Sequence, residues 1–226
     1  MIKFKNVTKI YPPDVVVLQD VSFEIKEGEF VSIVGKSGAG KTTLIKMILG
    51  LELPTYGDVF FAGENISQID DSALQKIRRR IGGIYQDYKL LSTKTVYENV
   101  AYIMEVDGRE SSEISMEVPK ILEVIGLHEK VDNFPEELSG GEQQRLAIAR
   151  ALVTHPDVIL ADEPTGNLDP YNSYEVISLL EKIHRAGKTV ILSTHDREII
   201  NKLGKRVITI ENGVLVRDEA KGRFII

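Results

Sequence analysis

Eight consecutive residues, Gly35-Lys36-Ser37-Gly38-Ala39-Gly40-Lys41-Thr42, limit the folds open to this chain more than any other stretch. They follow a β-type run, Phe30-Val31-Ser32-Ile33-Val34, and precede a helical pattern carrying Leu44, Ile45, Ile48 and Leu49 that stops near Gly50. A glycine, four residues, then Gly-Lys-Thr between strand and helix has the form of a phosphate-binding loop. Its glycines let the backbone curl until the amides face a β-phosphate, and the helix amino terminus adds positive potential. Lys41 is expected to reach the β- and γ-phosphates and Thr42 to ligate magnesium.

The surrounding pattern predicts an α/β fold. Short β-type runs fill Ile2 to Gly63, among them Val15-Val16-Val17-Leu18 and Val59-Phe60-Phe61. From about Leu90 to Val153 the pattern is helical, with Ile114 and Val118 assigned to one short helix and Ile121, Leu122 and Ile125 to a second begun by Pro119. β-type runs return at Val158–Ala161, Thr189–Ser193 and Arg206–Ile210, with a helix carrying Val176, Leu179, Leu180 and Ile183 between the first two. Strand, helix, strand alternation predicts a largely parallel sheet covered by helices. The basic run Lys76 to Arg80 reads as a solvated face.

Two further constellations carry chemistry. Val158-Ile159-Leu160-Ala161 ends in Asp162-Glu163, an apolar strand that delivers two acids, the first suited to a magnesium shell and the second to polarising an attacking water. Leu138-Ser139-Gly140-Gly141-Glu142-Gln143 begins a helix, with Ser139 and Glu142 at capping-box spacing. Capping does not account for two glycines in the first turn, each costing about 1 kcal/mol of helix propensity. A ligand that needs close backbone approach does, which makes this a second anion site.

Composition closes off several classes. The net charge of −6 argues against nucleic acid as a partner, and the absence of cysteine removes disulfides, thiolate metal sites and cysteine nucleophiles. Met1-Ile2-Lys3-Phe4-Lys5 has no apolar core of a signal peptide, and no uncharged apolar run approaches the roughly 18 residues of a spanning helix. The expectation is a cytoplasmic chain with no span of its own, for which any membrane role needs a partner.

Taken together, the phosphate loop, Gln86, the Leu138 to Gln143 signature, Asp162-Glu163, the Asn167-Leu168-Asp169 loop and His195 occur in the order found in ATP-binding-cassette (ABC) ATPases, which the chain resembles over its whole length. The resemblance implies a P-loop NTPase fold with a mixed sheet and an N-terminal β subdomain. Residues 1–88 and 155–226 would form the nucleotide-binding core and 89–154 a helical insert carrying the signature. It also implies ATP and Mg2+ as cofactors and a head-to-tail homodimer with ATP at the interface. Gly35 to Thr42, with Thr43, would then bind nucleotide in one subunit, and Ser139, Gly140, Gly141 and Glu142 would close on it from the other. Tyr11 is assigned to stacking on adenine, Gln86 to the attacking water and magnesium, Glu163 to the general base, Asp169 to communication across the dimer, and His195 to the γ-phosphate.

Within the family, Tyr85 to Leu91 and Thr95-Val96-Tyr97-Glu98-Asn99-Val100-Ala101 are similar to cell-division members, as are Gly28-Glu29-Phe30 and the tail from Arg206 to Asp218. Lys36 departs from that pattern, since those members often carry proline there. An FtsX-like transmembrane partner is implied, with Tyr88 to Leu91 as contacts for its coupling helix, and cell-wall hydrolases as the eventual targets. A motor for lipoprotein release or macrolide export shares Leu160 to Asp169 and stays open as an alternative. A nucleotide-gated scaffold without turnover is opposed by Glu163.

Overall fold

The computed structural model describes residues 1–223. The chain divides into two compact units, one of Met1–Arg78 with the chain from Ile183 onward, the other of Arg79–Lys182.

In the first unit, β1 (Ile2–Tyr11) pairs antiparallel with both β2 (Val15–Ile25) and β4 (Tyr56–Phe61), and the short β5 (Glu64–Asn65) adds to β4. Alternation sets which face is buried. Ile2 and Phe4 on β1, with Val21, Phe23 and Ile25 on β2, point inward, while Lys3, Lys5 and Glu24 face solvent. Phe4 stacks on Phe23, opposite it in register, with ring centroids 4.6 Å apart.

β3 (Phe30–Val34) is buried at every position because it has a parallel neighbour on each side, β8 (Thr189–Ser193) and β9 (Arg206–Glu211). β10 (Val214–Glu219) runs antiparallel to β9, so the sheet is mixed. The helices α1 (Lys41–Ile48), α2 (Asp71–Arg79) and α7 (Arg197–Leu203) complete this unit, α2 reaching its boundary.

The second unit holds a parallel pair, β6 (Ile81–Tyr85) and β7 (Val158–Asp162), together with α3 (Val96–Val106), α4 (Ser111–Val124), α5 (Gly140–Leu152) and most of α6 (Pro170–Arg185). Helices α3, α4 and α5 pack on one another and α5 also lies on β6. Among the described residues no helix is long and apolar enough to cross a membrane.

One helical expectation is corrected. Residues 111–124 form a single helix with Pro119 inside it, not two helices divided there. Proline removes one backbone donor, but Ile114, Val118 and Leu122, four residues apart, bury one continuous stripe across it, and that burial outweighs the lost bond.

The basic run also differs from a plain solvated face. Arg78 donates from Nε to the Leu49 carbonyl at 2.8 Å and from Nη2 to the Gly50 carbonyl at 3.1 Å, capping the carboxyl end of α1. Arg80 is bound to Asp157 at 2.7 Å, and Arg79 sits 3.4 Å from Asp107 with most of its side chain in solvent. Removing a charged donor from two part-buried carbonyls costs about 2 kcal/mol, whereas an exposed ion pair is worth well under 1. Arg78→Ala is therefore expected to lower the melting temperature by about 5 °C and Arg79→Ala by about 1 °C. Thermal unfolding followed by circular dichroism checks the ranking.

Candidate active site

Backbone contacts on both sides shape the phosphate loop. A Cβ on Gly35 would meet the Ile210 carbonyl of β9 at 2.3 Å, and one on Gly40 would meet Leu18 Cδ2 at 2.7 Å and the Val17 carbonyl of β2 at 3.0 Å. Gly38 and Gly40 have φ of 80° and 103°, the left-handed region open to glycine. Ala39 N–H closes the turn onto the Lys36 carbonyl at 3.1 Å, while Lys36, Ser37 and Gly38 are exposed. Gly40 caps α1 without any side-chain acceptor, and no acid stands in the first turn, so the helix end presents positive potential. Lys41, 8% exposed, donates to the Gly35 carbonyl at 2.8 Å and the Lys36 carbonyl at 3.2 Å. The ammonium is thus anchored across the loop it serves. Thr42 is exposed and Thr43 half-buried.

Tyr11 ends β1, half-buried, with Lys9 Nζ 4.8 Å from its ring centroid. Lys9 in turn bonds Glu52 at 2.8 Å and the Leu53 carbonyl at 2.8 Å, so one face of the tyrosine is fixed against a clamped cation. His195, exposed, follows β8 and directly precedes Asp196, which caps α7 by accepting from Glu198 and Ile199 N–H.

In the second unit, β7 is buried up to Ala161 and releases Asp162 and Glu163 at its carboxyl end, both half-buried. Glu163 has φ of 48°, a left-handed conformation that non-glycine residues seldom adopt. Tyr85 pairs with Asp162 in register, and burial followed by the Asp162 charge pushes its phenol pKa up.

Gln86 and Asn167 form a reciprocal amide pair: Gln86 Nε2 donates to Asn167 Oδ1 at 3.1 Å, and Asn167 Nδ2 donates to the Gln86 carbonyl at 3.2 Å. Gly166 leaves room for it, since a Cβ there would meet Gln86 Nε2 at 2.8 Å. The amide nitrogen is used in that contact, which turns Oε1, the atom a hard cation takes, away from it.

Ser139 caps α5 through the full capping box with Glu142: Ser139 N–H and hydroxyl both donate to Glu142 Oε2 at 2.9 Å, and Glu142 N–H donates back to Ser139 Oγ. Lys130 bonds Glu142 Oε1 at 2.6 Å. The Lys130 bond first, then the Ser139 contacts, hold the Glu142 carboxyl down at about 2. A depressed carboxyl contributes its stability above the ordinary range and loses it as pH falls toward 2, so Glu142 is charged at any working pH.

Asp169 accepts from Tyr171 and Asn172 N–H and from Asn172 Nδ2, and the Asn172 bonds are the main cause that lowers its pKa. The Asn172 side chain lies on Gly141, where a Cβ would come within 1.9 Å of Oδ1 and 2.5 Å of Cγ. Gly141 therefore has a reason inside the fold. Gly140 does not meet the same crowding, its nearest neighbour being Tyr88 Oη at 3.3 Å.

Residues 18–166 match the family described as ABC transporter. The chain belongs to that family. A Bacillus subtilis protein named cell division ATP-binding protein FtsE is 49% identical over 224 residues, covering 99% of this chain and 98% of the relative. The protein of that name from Escherichia coli K12 is 44% identical over 215 residues, covering 95% and 97%. A solved dimeric ATP-binding cassette, MJ0796, bound to ADP and Pi superposes with a TM-score of 0.88 at 38% identity, covering 99% of this chain and all of that one.

As an ABC ATPase the chain binds and hydrolyses ATP. Within the second unit the fold joins several of the expected residues: Gln86 with the Asn167-Leu168-Asp169 loop, and Asp169 through Asn172 with the signature helix. Asn172, Asn167 as an amide partner, and Lys130 are absent from the sequence-based set. Their signal was weak, because a lone asparagine after a proline and a lone lysine in a turn look like ordinary helix-start and surface residues.

The Gly141 contact gives a test with a distinctive sign. On an open helix Gly→Ala gains about 1 kcal/mol, but here overpacking is expected to cost about 2. Gly141→Ala should lower stability in urea titration, and adding Asn172→Ala should recover more than half of the loss.

Proposed function

We propose that this ABC ATPase is the motor of a cell-division complex, seated on the cytoplasmic face of the membrane by an FtsX-like transmembrane partner, through which ATP-driven movement reaches cell-wall hydrolases. The observation that carries this reading is near-full-length identity of 44–49% to relatives named cell division ATP-binding proteins. Local structure supports it. The Thr95 to Ala101 pattern builds a capping box between Thr95 and Glu98. It also builds a fully buried Asn99, which accepts from Leu91 N–H at 2.9 Å and donates to the carbonyls of Leu91, Lys94 and Thr95. That network fixes the end of the segment Tyr88 to Leu91, our candidate surface for the partner, at the start of a helical subdomain spanning 89–154.

In the proposed cycle Gly35 to Thr43 hold the phosphates, with Lys41 on the β- and γ-phosphates, and Tyr11 stacks on adenine with its open face. Glu163 orients and deprotonates the attacking water, Gln86 positions that water, and His195 donates to the γ-phosphate. Thr42, Asp162 and Gln86 offer a hydroxyl, a carboxylate and an amide oxygen, hard donors that would hold magnesium, which when bound offsets phosphate charge. Two copies pair head to tail, Ser139 to Glu142 of one closing on the nucleotide of the other, and Asp169 linking the two sites. The dimeric relative bound to ADP and Pi supports pairing of two copies and nucleotide binding.

Two experiments test the reading. Glu163→Gln should retain ATP binding, lose turnover by a factor of about a hundred or more, and run as an ATP-dependent dimer in size exclusion, while Lys41→Ala should lose nucleotide affinity. Full hydrolysis by the Gln variant removes Glu163 from the role of base. Native co-purification is expected to recover an FtsX-like membrane protein; recovery of a lipoprotein-release or exporter permease in its place overturns the cell-division assignment.

A further inference from the structure

Glu142 has the right sign for its helix end and the wrong sign for a phosphate ligand approaching it. It stands in the first turn of α5, at the helix end whose dipole and glycines favour an anion, and it is ionised throughout the working pH range. A triphosphate approaching that end meets a carboxylate as well as the helix dipole. The capping box needs the glutamate side chain, because Ser139 N–H donates to its Oε2. A triphosphate is tolerated beside it only where something offsets that charge.

Lys130 does so at 2.6 Å, on the oxygen that Ser139 leaves to it. Its delivery is fixed by backbone. Leu127 N–H bonds the Leu122 carbonyl at 2.8 Å, tying the lysine's turn to the end of α4. Just beyond, the carbonyls of Val131 and Asn133 accept from Tyr97 and Val96 N–H at 3.0 and 2.8 Å, tying it to the first turn of α3. A merely solvated lysine needs no such mounting.

We propose that Lys130 is a positioning residue for ATP-driven dimerisation: clamped on Glu142, its ammonium cancels the one negative charge in the first turn of the signature helix and admits the triphosphate held by a second copy. This rests on the reading above that Ser139 to Glu142 face the nucleotide of the partner subunit.

The test is the dimer dissociation constant of the full chain with a non-hydrolysable ATP analogue, measured by analytical ultracentrifugation over a range of salt. Lys130→Met is expected to weaken the dimer at least tenfold at low salt, with the defect shrinking as ionic strength screens Glu142. Lys130→Arg should stay within threefold of the native chain. In a Glu142→Gln background, Lys130→Met should shift the constant less than twofold, a coupling that a purely structural lysine does not give. Equal weakening in both backgrounds, or a defect that Lys130→Arg shares, overturns the proposal. Ser139→Tyr separates the two layers. If it abolishes the dimer while Lys130→Met does nothing, the charge proposal fails alone. If it dimerises normally, the signature reading fails and takes the proposal with it.

Discussion

Close backbone approach on both sides of the phosphate loop is the constraint on which the first unit depends. β9 abuts Gly35 and β2 abuts Gly40, and β2 is further tied to the β9–β10 turn by the bond from Gln19 N–H to the Gly213 carbonyl at 2.8 Å. Gly213 permits that contact, since a Cβ there would meet the Val17 carbonyl at 2.6 Å. The loop glycines thus serve two masters. They curl the chain into the turn that the proposed phosphate site needs, and they let two strands from distant parts of the sequence grip it, which fixes the direction in which α1 leaves and where Lys41 is anchored. An alanine at either position would disturb the whole unit before it touched a ligand.

In the second unit α5 has the corresponding place. Its start is held by the Ser139–Glu142–Lys130 cluster and by Gln143, which donates to the carbonyls of Pro135 and Leu138 at 2.9 and 3.2 Å. One flank carries Asn172 against Gly141 and a 2.8 Å ion pair between Arg145 and Glu175. Its far end sends Arg150 to the carbonyl of Lys89, in a turn where Tyr88 and Lys89 both have positive φ, 58° and 52°. The segment after Gln86 and the start of α6 are thereby both tied to α5.

Sequence alone revealed the elements whose periodicity is strong and whose chemistry is dense. β3, β7, β8 and β9 are short runs rich in apolar and β-branched residues, and the phosphate loop, the paired acids and the signature carry enough residue types at fixed spacing to be read without contacts. β6 escaped because Gly82 and Gly83 interrupt it; Gly82 is there so that β6 can approach the Ala151 carbonyl of α5, where a Cβ would come within 2.3 Å. α4 was divided at Pro119 because a local rule was allowed to outweigh a stripe of burial. At the second glycine of the signature the Asn172 side chain already calls for a residue without a Cβ, a contact between residues thirty-one positions apart that no local pattern encodes. Pairings of this kind, and the Lys130–Glu142 bond, depend on tertiary neighbours and lie beyond spacing rules.

The left-handed backbone at Glu163 bears on how this protein can change over evolutionary time. With φ at 48°, the position would sit more comfortably as glycine or asparagine, by about 1 kcal/mol, than as the residue it holds. On the reading proposed above, in which Glu163 is the base, drift there is downhill for the fold and costs turnover. A descendant that needed only to grip nucleotide would gain robustness by surrendering that acid.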